Sequence, residues 1–117
     1  MTELSATELA VEGGIAEVFD HIDNAGPMWC GTGKRWTRAS VDFPAPFASA
    51  PTIQLSIAMI DADSSRNLRL ELHAEDISDS GFTVMAHTWS DTRIGRLQVN
   101  WTALGTRAAT DGKRWNV

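Results

Sequence analysis

Trp89 stands beside Ser90, Asp91 and Arg93, and that local mixture carries a definite chemistry. An indole offers a flat apolar face to the C–H side of a sugar ring, while a few oriented polar groups fix the ligand's orientation. Tryptophan is also over-used here: five Trp and four Phe occur with no Tyr. Other constellations fail on inspection. Gly31-Thr32-Gly33-Lys34 has the look of a phosphate loop, yet the full pattern needs Gly where Met28 stands and Ser or Thr where Arg35 stands. Asp61, Asp63, Ser65 and Asn67 open with calcium-loop spacing, but Arg66 replaces the required glycine and Leu72 the required glutamate, so they read as a polar turn. His21, His73 and His87 lack both the i, i+4 spacing and the Cys partners of a zinc site. Asp61, Asp63 and Asp91 define no cleft in which two carboxylates face each other across a glycosidic bond. Cys30 has no partner for an internal bridge and no base that the sequence can place beside it, and it reads as a small buried hydrophobe next to Trp29. The expectation is therefore a binding protein, not an enzyme, with no cofactor and no metal.

Positioning such a site requires strands. Period-two alternation begins after Gly31, and Trp36 to Phe43 reads as the opening strand. In Thr52 to Asp61, Ile53, Leu55, Ile57 and Met59 share one side; in Leu68 to Asp76, Leu68, Leu70, Leu72 and Ala74 do so, leaving Arg69, Glu71 and His73 opposite. Phe82, Val84, Ala86 and Thr88 form the inward set of the next strand, which puts Thr83, Met85, His87 and Trp89 off the core. Leu97, Val99 and Trp101 alternate in the last strand, but Ile94 is out of phase with them, and a β-bulge at Gly95 reconciles the two. Ala45-Pro46, Asp63-Ser64-Ser65, Ser78-Asp79-Ser80-Gly81 and Ser90-Asp91 mark turns, so the fold class is all-β, a six-stranded antiparallel sandwich.

Before the strands, Ile15, Val18, Phe19 and Ile22 fall at i, i+3, i+4 and i+7 after Gly13-Gly14, which predicts a short amphipathic helix stopped by Asn24-Ala25-Gly26-Pro27. Residues 1–28 carry six acids and no base, whereas the remainder holds nine acids and ten bases. The organisation expected is an acidic segment over 1–28 with that helix, a sandwich over 29–105 and a polar tail over 106–117.

The chain has 117 residues, a net charge of −5 and 43% hydrophobic residues, enough for one core without disulfide staples. The acidic balance argues against nucleic acid or anionic membrane as the main partner, because both need clustered Lys and Arg. No apolar run approaches the ~20 residues of a membrane span. The N-terminus lacks the basic and apolar regions of a signal peptide, so export is expected by another route or as part of an extracellular particle.

Longer stretches carry a resemblance. Phe43-Pro-Ala-Pro-Phe47, Pro51-Thr-Ile-Gln-Leu-Ser-Ile57 leading to Ile60-Asp61, Asn67-Leu-Arg69, Gly81-Phe82, Thr88-Trp-Ser-Asp-Thr-Arg-Ile94 and Asn100-Trp-Thr-Ala103 occur in one unbroken order over about residues 36–105. This order resembles the H-type lectin domain, the family of snail agglutinins and of the C-terminal domain of discoidins. The resemblance implies a six-stranded sandwich that assembles as a homotrimer, sometimes stacked into hexamers, and binds N-acetylgalactosamine or galactose glycans between protomers. It also implies roles. Arg69 matches the arginine that donates to sugar hydroxyls, Trp89 the aromatic wall, and Ser90 the polar contact beside it. Thr32, flanked by Gly31 and Gly33, stands where snail lectins have an acidic residue, and Gly95 where they have a second aromatic. These departures weaken a single site, which assembly of several sites compensates. They also motivate the alternative of a structural or assembly module of a surface or tail-like particle with a degenerate sugar pocket.

Overall fold

A computed structural model describes residues 8–107. Among them are six strands and one helical turn: β1 (Leu9–Asp20), α1 (Pro27–Cys30), β2 (Arg35–Asp42), β3 (Thr52–Ala62), β4 (Glu71–Glu75), β5 (Gly81–Thr88) and β6 (Ile94–Thr106). Two antiparallel three-stranded sheets, ordered β1-β6-β3 and β2-β5-β4, face each other. Alternation builds the space between them. Leu97, Val99, Trp101 and Ala103 of β6 meet Phe82, Val84 and Ala86 of β5, with Val41, Phe43, Phe47 and Met28 closing the rest. Each large apolar side chain so buried contributes about 1.5–3 kcal/mol.

Three bulges reset the alternation. Gly95 is the extra residue where Asp61 pairs with Arg96 and Ala62 with Ile94, as the phase slip in the sequence requires. Ala58 is extra where Ile57 pairs with Val99 and Met59 with Gln98. Beyond Ala58 the inward set becomes Ile60 and Ala62, which pack on the core, whereas Ile57 is exposed and Met59 lies opposite outward Gln98. Val18 is the third, where Glu17 pairs with Gln98 and Phe19 with Leu97.

The Val18 bulge overturns the expected N-terminal helix. Residues 9–20 are an edge strand, and the extra residue turns Val18 and Phe19 both into the core, which imitates helical spacing. Ile15, on the outer side, is 64% exposed. Gly14 lies under the Trp101 indole, where an added Cβ would stand 3.1 Å from Nε1. Its lack of a side chain serves that approach, not a helix start.

Other differences are local. Strand β4 begins only at Glu71, so Leu68 is exposed while Leu70, Leu72 and Ala74 pack on the core. Met85 points outward yet is buried, flanked in register by Arg38 and His73. Cys30 is exposed, because the single turn of α1 spends its inward position on fully buried Met28. Thr106 still belongs to β6, and Arg107 bridges to Phe47 and pairs with Glu12. The rest of the expected tail, with Trp115, lies outside the described residues.

Candidate functional site

Antiparallel order brings the β1–β2, β3–β4 and β5–β6 connections (residues 21–34, 63–70 and 89–93) to one end of the sandwich. Gly31, Thr32, Arg69, Trp89 and Ser90 all lie in them.

Arg35 organises two of these loops. It shares the inward phase of β2 with Val41 and is buried, 6% exposed. Its Nε donates to the Gly33 carbonyl at 2.8 Å, one terminal nitrogen to Pro27 at 3.1 Å, and the other to Ser90 at 3.1 Å. Burial pushes its pKa down from the usual arginine value, and carbonyl dipoles stabilise the charge that remains. Gly31 makes room for this side chain, since a Cβ there would meet the Pro27 carbonyl at 2.6 Å and Arg35 Cδ at 2.9 Å. Gly33, at φ +75°, donates its N–H to the Ser90 carbonyl at 2.9 Å. Ser90 is itself left-handed at φ 63°, an uncommon conformation for a side-chain-bearing residue. Gly31, Thr32 and Gly33 are thus laced to Ser90, and Thr32 is exposed at the loop surface.

Arg69 approaches from the third loop. Its guanidinium donates to Asp91 Oδ1 at 2.9 Å and to Thr92 Oγ1 at 3.1 Å. Thr88 Oγ1 donates to the Arg69 carbonyl at 2.6 Å, and Thr92 Oγ1 to the Asn67 carbonyl at 2.6 Å. Two buried threonines therefore lock the segment carrying Arg69 onto the segment carrying Trp89. The Arg69 hydrogen bond holds the Asp91 carboxyl below the usual aspartate range, with Arg66 adding to it. Asp63 is also lowered, first by hydrogen bonds from Ser65, and this is the Asx turn expected there.

Trp89 is half-buried and braced. His87 stacks on it at 5.2 Å between centroids and on Trp36 at 4.7 Å with 10° between planes. Trp36 and His87 are cross-strand partners, and His87 Nδ1 lies 3.2 Å from the Arg35 carbonyl. Sequence reasoning missed Arg35, Trp36 and His87. An arginine in the inward phase of a strand was the available signal for the first; the stack depends on strand register and had none.

Gly95 is buried beneath the β1–β2 loop. A Cβ there would meet Ile22 at 2.4 Å and Trp29 at 3.3 Å, and the Trp29 ring carries the Arg93 guanidinium at 4.1 Å.

One end of the sandwich thus carries a braced indole, Trp89, and a guanidinium, Arg69, fixed by a carboxylate, on segments locked together by Thr88 and Thr92. The model of the H-type lectin domain matches residues 38–104, and the chain belongs to that family. Its fold is similar to discoidin II of Dictyostelium discoideum: TM-score 0.74 and 25% identity over 86% of this chain and 38% of that one. A second discoidin II structure gives 0.73 and 26% over 83% and 36%. The chain therefore spans little more than a third of that lectin. The tailspike protein gp49 of Pseudomonas phage LKA1 shares the fold at TM-score 0.51, with 17% identity over 89% of this chain and 15% of that one. A Fuscovulum blasticum protein named "ATP synthase subunits region ORF 7" is 35% identical over 117 residues, 100% of this chain and 99% of that one. The folds shared with the lectins are those of non-catalytic binding domains, and carbohydrate binding is the activity they support. No helix among the described residues is long and apolar enough to cross a membrane.

Proposed function

We propose that this chain is an oligomeric lectin that binds glycans of the galactose or N-acetylgalactosamine type through Arg69, Trp89, Ser90 and the Gly31-Thr32 turn. The observation that carries the reading is the pair formed by Arg69, oriented by Asp91 and Thr92, and Trp89, braced by His87 and Trp36. A guanidinium aligned in this way engages two neighbouring hydroxyls without first losing rotamer freedom. Arg69 keeps donors beyond the two that its protein partners take.

Assembly as a homotrimer, with sites at the seams, is supported by apolar surface that one copy leaves uncovered. Ile53, Leu55 and Leu72 are only partly buried, and Ile57 and Leu68 are exposed. A further copy packed against this β3 and β4 edge would bury them. The second reading, a structural module of a surface or tail-like particle, is favoured by Gly95, where Ile22 and Trp29 fill the place of a second aromatic wall.

A glycan array with wild type and Trp89→Ala separates the two. Signal on galactose-type glycans that disappears in the variant supports the lectin; silence of the wild type at millimolar sugar supports the module. Light scattering at micromolar concentration reads the assembly, and a monomer there would remove the seam model.

A further inference from the structure

We infer that the glycan this site takes is anionic, and that Arg66 is the residue that binds its carboxylate or sulfate. The inference rests on the lectin reading and names the ligand class of that same site.

Charge is segregated along the sandwich. The three connections at the site end, with Arg35, contain Lys34, Arg35, Arg66, Arg69 and Arg93 against Asp23, Asp63 and Asp91. At the opposite end, residues 43–51 contain no charged side chain and residues 76–80 contribute Asp76 and Asp79. Two further carboxylates at strand ends near the site, Asp20 and Asp61, act on Arg96, which Asp61 holds at 2.9 Å. Counting these with Arg96, this end carries six cations against five carboxylates, a slight cationic excess in a chain of net charge −5.

Within that excess the guanidinium groups are not equivalent. Arg35 is spent on carbonyls, Arg69 on Asp91 and Thr92, and Arg93 on the Trp29 carbonyl and Asp63. Arg66 stands 3.9 Å from Asp63 and 3.7 Å from Asp91, too far for a hydrogen bond to either, and its guanidinium makes none among the described residues. Both carboxylates already serve other donors: Asp91 serves Arg69, and Asp63 serves Ser65 and Arg93. The Arg66 backbone is fixed in the turn by its N–H on the Asp63 carbonyl, while its guanidinium is drawn to these carboxylates by charge alone, half-exposed, with its bidentate fork available. It shares Asp91 with Arg69, so an anion on Arg66 lies beside the sugar-binding guanidinium.

The test is calorimetry on the full chain with three probes: trigalacturonate, its carboxyl-reduced neutral trimer, and a galactose 6-sulfate oligosaccharide. At about 20 mM salt the charged probes bind about tenfold tighter than the neutral one, and at about 0.5 M salt the difference vanishes. Arg66→Gln abolishes the preference while leaving neutral binding unchanged, and Arg66→Lys restores part of it. Preference for trigalacturonate alone or for the sulfate alone assigns the anion. Equal affinity for charged and neutral probes, or a preference that survives in Arg66→Gln, overturns the inference. If the neutral trimer binds and Trp89→Ala removes it, the lectin reading stands in that case; if no probe binds, both fall.

Discussion

Replacing Arg35 by methionine tests whether a buried guanidinium holds the site together. The side chain donates to carbonyls of Gly33, Pro27 and Ser90 at 2.8, 3.1 and 3.1 Å, with a longer contact to Met28 at 3.4 Å. Hydrogen bonds from a charged donor contribute about 1.5 kcal/mol or more each, so three of them amount to about 4–5 kcal/mol. Methionine recovers part of this, because an apolar side chain carries no cost of burying a charge. A net loss of about 3 kcal/mol follows, a large share of the ~5–15 kcal/mol that holds a domain of this size. At about 4 °C or more per kcal/mol, Tm falls by at least about 10 °C. Arg35→Lys keeps the charge but not the fork, and one ammonium cannot reach three divergent carbonyls, so its loss is intermediate, about 1–2 kcal/mol. Urea unfolding followed by tryptophan fluorescence and circular dichroism measures all three proteins. Methionine within 1 kcal/mol of wild type, or lysine equal to it, would refute the reasoning: the carbonyls would then be satisfied by water and the guanidinium would be a passenger.

Gly95→Ala places a Cβ 2.4 Å from Ile22 Cγ1 and costs about 1–3 kcal/mol by overpacking, and Ile22→Ala in the same chain restores most of it; an additive double variant would show that the clash lies elsewhere. His21 accepts the Met28 N–H at Nδ1 over 3.1 Å, and burial lowers its pKa against the opposing pull of Asp20. With the folded value below the unfolded one of about 6.5, His21's contribution is complete above that pH and is lost as pH falls through the folded value. Melting curves between pH 8 and pH 5 therefore decline, and His21→Asn flattens the decline; an unchanged slope counts against this assignment.

Strand interiors were legible in the sequence because burial on one face imposes a strict period. Phe82, Val84, Ala86 and Thr88 fall inward as their alternation demands, and the Gly95 bulge follows from a single phase slip. The same logic misled at residues 15–22. A bulge that turns Val18 and Phe19 both inward produces the spacing of one helical turn, and periodicity alone cannot separate the two. Pairing with β6 decides it, and pairing is not local. Cys30 differs from its expected burial for a related reason: the apolar run Met28-Trp29 beside it suggests a buried position, but one helical turn has a single inward position, and Met28 holds it.

The site divides along the same line. Arg69 and Trp89 flank strands, so their phase could be read, whereas the locks on them come from residues far apart in sequence: Arg35 to Ser90, Thr88 to Arg69, Thr92 to Asn67. Thr32 and Gly95, the two positions at which the sequence departs from the expected snail-lectin pattern, both meet one such remote segment. Thr32 lies in the β1–β2 connection, and Gly95 must be glycine because Ile22 and Trp29 of that connection occupy the space an aromatic ring would need. That connection folds back over the start of β6 and is anchored there by the His21 N–H on the Gly95 carbonyl at 2.7 Å. The connection over residues 21–34 therefore shapes this end of the sandwich as much as the segments that carry Arg69 and Trp89 do: it supplies the carbonyls that hold Arg35 and the side chains that cover Gly95.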